Sequence, residues 1–127
     1  MKRTLVEFAR ASVIPLAALL GLSVLAQAYL AGVAAVVDPD YWGLHKSWIA
    51  IFQWLSVPLV PVTWIGRRDP TLRWMSFVPI VLIGAQYSSI HLALRHGVSW
   101  FAGLHVVMGF LLFGTLVLLV SRSRNVA

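Results

Sequence analysis

The chain has 127 residues, 60% of them apolar and only 11% charged, with a formal net charge of +6. That apolar share exceeds the usual level of a soluble domain, and the length accommodates a single domain. The sequence contains no cysteine, which excludes disulfides, iron–sulfur clusters and thiolate zinc sites. Its basic residues stand in short clusters between long apolar runs, a pattern that reports membrane orientation rather than a nucleic-acid partner.

Lys2, Arg3 and Arg10 ahead of an apolar run resemble the start of a signal peptide, and Ala26-Gln27-Ala28 has the form of a cleavage site. The run from Ala11 to Val37 is too long for a signal core. It reads instead as a retained first span over residues 12–37, enough at 1.5 Å per residue to cross a ~30 Å hydrocarbon layer with some tilt. Gly21 and Gly32 are positions where another helix can approach. Asp38-Pro39 ends this span and starts the next, because Asp is a favoured N-cap and Pro a favoured first helical residue.

The second span covers residues 39–65. Tyr41, Trp42 and Trp48 fit an interfacial aromatic belt, and Pro58 and Pro61 are expected to kink the span or end it early. Gly66-Arg67-Arg68-Asp69-Pro70 is a polar turn, and the third span covers residues 72–94. Arg95-His96-Gly97 is the next turn, Ser99 a plausible N-cap, and the fourth span covers residues 100–120. No stretch shows strand alternation. The expectation is an all-α, single-domain, integral membrane four-helix bundle, running up-down-up-down.

Lys2, Arg3, Arg10, Arg67, Arg68, Arg73, Arg122 and Arg124 fall on one side of this topology, and only Lys46 and Arg95 on the other. That bias predicts a multi-pass protein of the cell (inner) membrane with both termini cytoplasmic. Glu7 and Asp69, on the termini side, are read as offsetting nearby arginines.

One phrase is written twice. Gly43-Leu44-His45 recurs as Gly103-Leu104-His105, 60 positions later, and each copy is preceded by Ala-Gln, at Gln27 and at Gln86. The spacing from glutamine to histidine is 18 and then 19 residues. The expectation is a duplicated hairpin, residues 12–65 and 72–120, related by a pseudo-two-fold axis along the membrane normal, with the second and fourth spans diagonal. His45 and His105 then sit at equal depth, ~10 Å inside their helix starts. Each glutamine lies nearly level with its histidine, so its side chain can hold the free ring nitrogen and fix the tautomer.

Polar groups inside a membrane are costly and usually face the interior of the bundle with a task. Few carboxylates accompany the histidines, which argues against a hard cation. Zinc or copper suits imidazole, and a metal held by His45 and His105 would take His91 as a third ligand if the spans converged closely enough. Haem suits the wider spacing of two histidines on facing helices. In that reading Gly43, Gly103 and Gly109 leave room for a flat macrocycle. Lys46, Arg95 and His96, the last read as a loop residue, receive the propionates, and Tyr87 and His91 line the pocket. Without a cofactor, the Gln–His hydrogen bonds become struts of a structural or accessory subunit; a small metal-binding or transport protein would use the same outward pocket.

Gln27 with Leu30-Ala31-Gly32, His45 at the start of the second span and Leu104-His105 at the start of the fourth resemble a family of small four-helix membrane proteins of bacteria and archaea whose function is unknown. The architecture is also similar to four-helix b-type cytochromes, including the cytochrome b561-like group. That similarity implies haem b, electron transport and exchange with a quinone or a redox partner protein. The group commonly ligates two haems with four histidines, one pair toward each side, whereas this chain has no histidine toward its termini side and supports one haem at most. An electron carrier or accessory subunit is favoured over a stand-alone enzyme. The apolar outer faces imply a lipid bilayer and allow a homodimer or a larger complex.

Overall fold

The computed structural model describes residues 2–125. It is all-helical, with four helical stretches long and apolar enough to cross a membrane and no strand among the described residues. The first stretch is α1, Lys2–Val36. The second is α2, Tyr41–Phe52, continued through a 3-10 turn at Gln53–Leu55 into α3, Ser56–Gly66. The third is α4, Pro70–Met75, followed after two residues by α5, Val78–His96. The fourth is α6, Phe101–Asn125.

Helices overrun the apolar boundaries read from sequence because charge marks the edge of the hydrocarbon, not the end of a helix. Lys and Arg are good helix formers. α1 therefore continues through Arg10 to its N-terminal turns, and at 35 residues it is about 50 Å long, well beyond the ~30 Å core. Turns fall where backbone chemistry forces them. Asp38 does not cap a helix, as its position led one to expect. Its carboxylate accepts from the Asp40 N–H at 3.0 Å in a local turn, and α2 begins at Tyr41. Asp69 does cap α4, accepting from the Thr71 N–H at 2.8 Å with Pro70 at the first helical position. That is a backbone role, not the offset to an arginine expected of it; Glu7 does pair with Arg3, at 3.3 Å on the exposed surface.

The breaks inside the second and third stretches follow from proline. A proline ring clashes with the carbonyl four residues earlier. For Pro58 that is Trp54, inside the 3-10 turn, and for Pro79 it is Met75, the last residue of α4. Pro61 stays inside α3. The second span is thus re-wound, not ended.

α1 is the central packing element, lying against α2 and α3 on one side and α6 on another, while α5 packs on α6. Contact between the second and third stretches is sparse and runs mainly through α3. The second and fourth stretches take diagonal positions. Yet a strict two-fold would make the second–third seam equal to the first–fourth, and it is not.

The buried apolar core is Val13, Ala17 and Leu20 of α1, Leu59 of α3, Leu72 of α4, Ile83 of α5 and Leu112, Leu116 and Leu119 of α6. The spacing 13, 17, 20 and 112, 116, 119 is one helix face in each case. This core occupies the half of the bundle nearer the termini. The other half holds the histidines and glutamines.

Candidate functional site

His45 is carried by the second turn of α2 and His105 by the second turn of α6. The two rings face each other across the bundle with centroids 6.5 Å apart and planes at 57°. His45 Nδ1 lies 3.1 Å from the backbone carbonyl of Gln27, and His105 Nδ1 lies 3.1 Å from the backbone carbonyl of Gln86. Each hairpin makes the same contact at the same distance.

The partner is the glutamine's main chain, not the side chain that sequence reasoning had assigned. A carbonyl has two lone pairs, so it can accept both its helical N–H and a histidine. It cannot donate, which places the hydrogen on Nδ1 in both rings. In the neutral imidazole Nε2 then keeps its lone pair, and no hydrogen bond to Nε2 is formed among the described residues.

The glutamine side chains do different work. Gln86 Nε2 donates to the backbone carbonyl of His105 at 3.3 Å, closing a reciprocal pair between α5 and α6. Gln27 Oε1 is buried without a partner. Trp42 sets an edge against His45 at 5.5 Å. One turn deeper, Trp48 Nε1 donates to Ser23 Oγ at 3.0 Å, a second tie between α1 and α2.

Both histidines line a cleft of about 430 Å³ between α1 and α6. Val24, Gln27, Ala28 and Ala31 form one wall, Gly109, Phe110 and Phe113 the other, and Gln86 reaches in from α5. The volume lies within the ~300–1,000 Å³ typical of ligand pockets. Leu25 and Phe110 at its edge are exposed, so the cleft opens sideways, toward lipid when the helices span a bilayer.

Other residues singled out from sequence lie elsewhere. His91 pairs with His96, ring centroids 6.4 Å apart, and does not line the cleft. Among the described residues no three His, Asp or Glu side chains gather into a metal site, so the three-histidine arrangement does not form. His96 is the last residue of α5 and not a loop residue, with Gly97 capping the helix at φ 67°. Tyr87, Lys46 and Arg95 are exposed and stand outside the cleft. Of the glycines, Gly43 and Gly103 face open space away from it, and Gly109 faces the Gln86 amide, 3.2 Å from where a Cβ would stand. Phe110 and Phe113 went unnoticed in the sequence. The helical spacing His105, Gly109, Phe113 was the signal that could have found the second of them.

Neither the curated proteins nor the solved structures include a match to this chain. The model of a family of unknown function, DUF6220, matches residues 27–92, a stretch that holds Gln27, His45, Gln86 and His91, and because it covers just over half of the chain, the protein belongs to that family.

Proposed function

We propose that the protein is a single-haem b-type membrane electron carrier, whose haem would be held by His45 and His105 in the half of the bundle away from the termini. The observation that carries this reading is the tautomer-fixed pair of rings. Two imidazoles bound to opposite sides of one metal ion at ~2.0–2.1 Å have ring centres about 6 Å apart, close to the 6.5 Å found. An Nδ1–H held by a backbone carbonyl is also the usual outer support of a metal-binding histidine.

When bound, haem supplies one-electron redox chemistry. The chain's own residues bind and orient. The Gln27 and Gln86 carbonyls hold each ring's hydrogen on Nδ1, and the Gln86 amide pins the start of α6 through the His105 carbonyl. Val24, Phe110 and Phe113 line the cleft with apolar surface. Lys46 and Arg95 are not assigned to the propionates, since they lie outside it. The sideways opening suits exchange with a quinone-type carrier in the bilayer or with a redox partner protein docked on the bundle.

Three further readings belong to the proposal. The basic-residue bias supports both termini on the cytoplasmic side of the inner membrane. The twice-made histidine–carbonyl contact supports a duplicated hairpin. A helical bundle with a facing histidine pair is similar to b-type membrane cytochromes.

The test is the absorption spectrum of protein purified from haem-supplemented cells, oxidised and dithionite-reduced. A Soret band with sharpened reduced bands is expected, lost in both His45→Ala and His105→Ala. A colourless protein that also fails to take up added hemin would overturn the haem reading. Stoichiometric zinc or copper in that sample would instead assign the same two histidines to a metal ion.

A further inference from the structure

At the opposite end of the bundle from the histidines, three arginines meet. Arg67 is buried, 4% exposed, in the turn between the second and third stretches. Its Nη2 donates to the Arg10 carbonyl at 3.4 Å, while Arg10 Nε donates to the Gly66 carbonyl at 3.4 Å. Arg73 Nε donates to the Arg67 carbonyl at 2.8 Å. Backbone acceptors thus hold three guanidinium groups in one corner. Among the described residues no carboxylate balances them. Asp69 is engaged with the Thr71 N–H, and the one ion pair among the described residues is Arg3–Glu7.

Arg67 Nε and Nη1 are buried with no acceptor. Unpaired buried donors of a charged group are expensive, and like charges packed together add to that cost. Burial, and then the charge of Arg10, lower the Arg67 pKa from its ordinary value; a guanidinium nevertheless keeps its proton at neutral pH. A ligand with several acceptor oxygens and negative charge would answer both deficits.

The depth of the corner is marked independently. Trp64, Trp74 and Phe77 form a cluster beside it, with ring centroids 5.7, 6.0 and 5.8 Å apart. Trp64 Nε1 donates to the Arg73 carbonyl, and the Arg73 guanidinium lies 5.5 Å from the Trp64 ring centre. All three aromatic residues are exposed. Exposed tryptophans at the end of a membrane helix belong at headgroup level, so the arginines face the layer that contains lipid phosphates. Arg10 is exposed and Arg73 half-buried, which leaves the corner open on that side.

We propose that Arg10, Arg67 and Arg73 form a binding site for a phosphate group, supplied by an anionic lipid headgroup at this face of the membrane. Guanidinium forks match phosphate oxygens in bidentate fashion, and a basic pocket between membrane helices is a recognised form of headgroup site. The site lies at the other end of the bundle and does not depend on the haem reading.

The test is thermal unfolding of the full chain in neutral detergent, with phosphatidylglycerol, with phosphatidylcholine, or with inorganic phosphate. Phosphatidylglycerol is expected to raise the melting temperature by roughly 5 °C, with no rise from phosphatidylcholine. Arg67→Gln should abolish the rise, and Arg10→Gln and Arg73→Gln should each at least halve it. Arg122→Gln, outside the corner, should leave it intact. Should Arg67→Gln fail to fold, the Arg10 and Arg73 variants still decide the matter. An equal rise with inorganic phosphate keeps the phosphate site but assigns it to a soluble anion. Equal shifts with both lipids, or a full rise in the Arg10 and Arg73 variants, would overturn the proposal.

Discussion

Gly66 and Gly109 both lie where a methyl group would be crowded, but against different neighbours. A Cβ at Gly66 would overlap the Arg10 backbone nitrogen and stand 2.7 Å from the Ala9 carbonyl carbon. Neither helix backbone can yield without moving α1 away from α3. Gly66→Ala is therefore expected to destabilise by about 1–3 kcal/mol, the usual range for overpacking, seen as a clear fall in melting temperature. A Cβ at Gly109 meets only the end of the Gln86 side chain at 3.2 Å, which can swing aside. Gly109→Ala should cost no more than the hydrogen bond from Gln86 to the His105 carbonyl, ~0.5–1.5 kcal/mol. It should show less in stability than in hydrogen exchange at the start of α6. Equal losses for the two variants would contradict this distinction between backbone and side-chain obstruction. Nothing in the sequence separates the two glycines, because what distinguishes them is the helix that comes to lie opposite.

At the scale of elements, the spans were legible because twenty or so apolar residues have few alternatives in a bilayer. Their ends were not, for two reasons. Basic residues such as Arg10 do not stop a helix, so α1 runs on past the apolar limit. Turn chemistry depends on single backbone groups, so Asp38 spends its carboxylate on Asp40 while Asp69 caps α4. The Arg-His-Gly stretch read as a turn is helical through His96, and only Gly97, with φ 67°, leaves the helix, as glycine commonly does past a helix end. Left-handed backbone costs a residue with a Cβ roughly 1–2 kcal/mol. Gly97→Ala should lower stability by about that amount, and Gly97→Asn by less because asparagine tolerates this region. Comparable stability of wild type and Gly97→Ala in a denaturant titration would show that the turn re-forms another way.

For the whole molecule, the repeated phrase in the sequence pointed to the histidines and to their depth, since helical rise converts a residue count directly into height. It did not reveal that main-chain carbonyls are their partners, nor that the cleft lies between α1 and α6, because both depend on rotation about helix axes. Membrane sidedness can be tested on the same frame. An even number of spans puts Asp40 and Arg95, at the two hairpin tips, on one face, and Arg68 and Arg124 on the other. All four are exposed, and the chain has no cysteine of its own, so single-cysteine variants report without background. With the proposed orientation, Asp40→Cys and Arg95→Cys should react with a membrane-impermeant maleimide on intact spheroplasts. Arg68→Cys and Arg124→Cys should react only after permeabilisation. The reverse pattern would invert the protein and move the histidine cleft to the cytoplasmic half of the bilayer, where it would meet different electron donors. Tips labelled from opposite faces would contradict the four-span topology itself, and with it the facing of His45 and His105 on which the haem proposal depends.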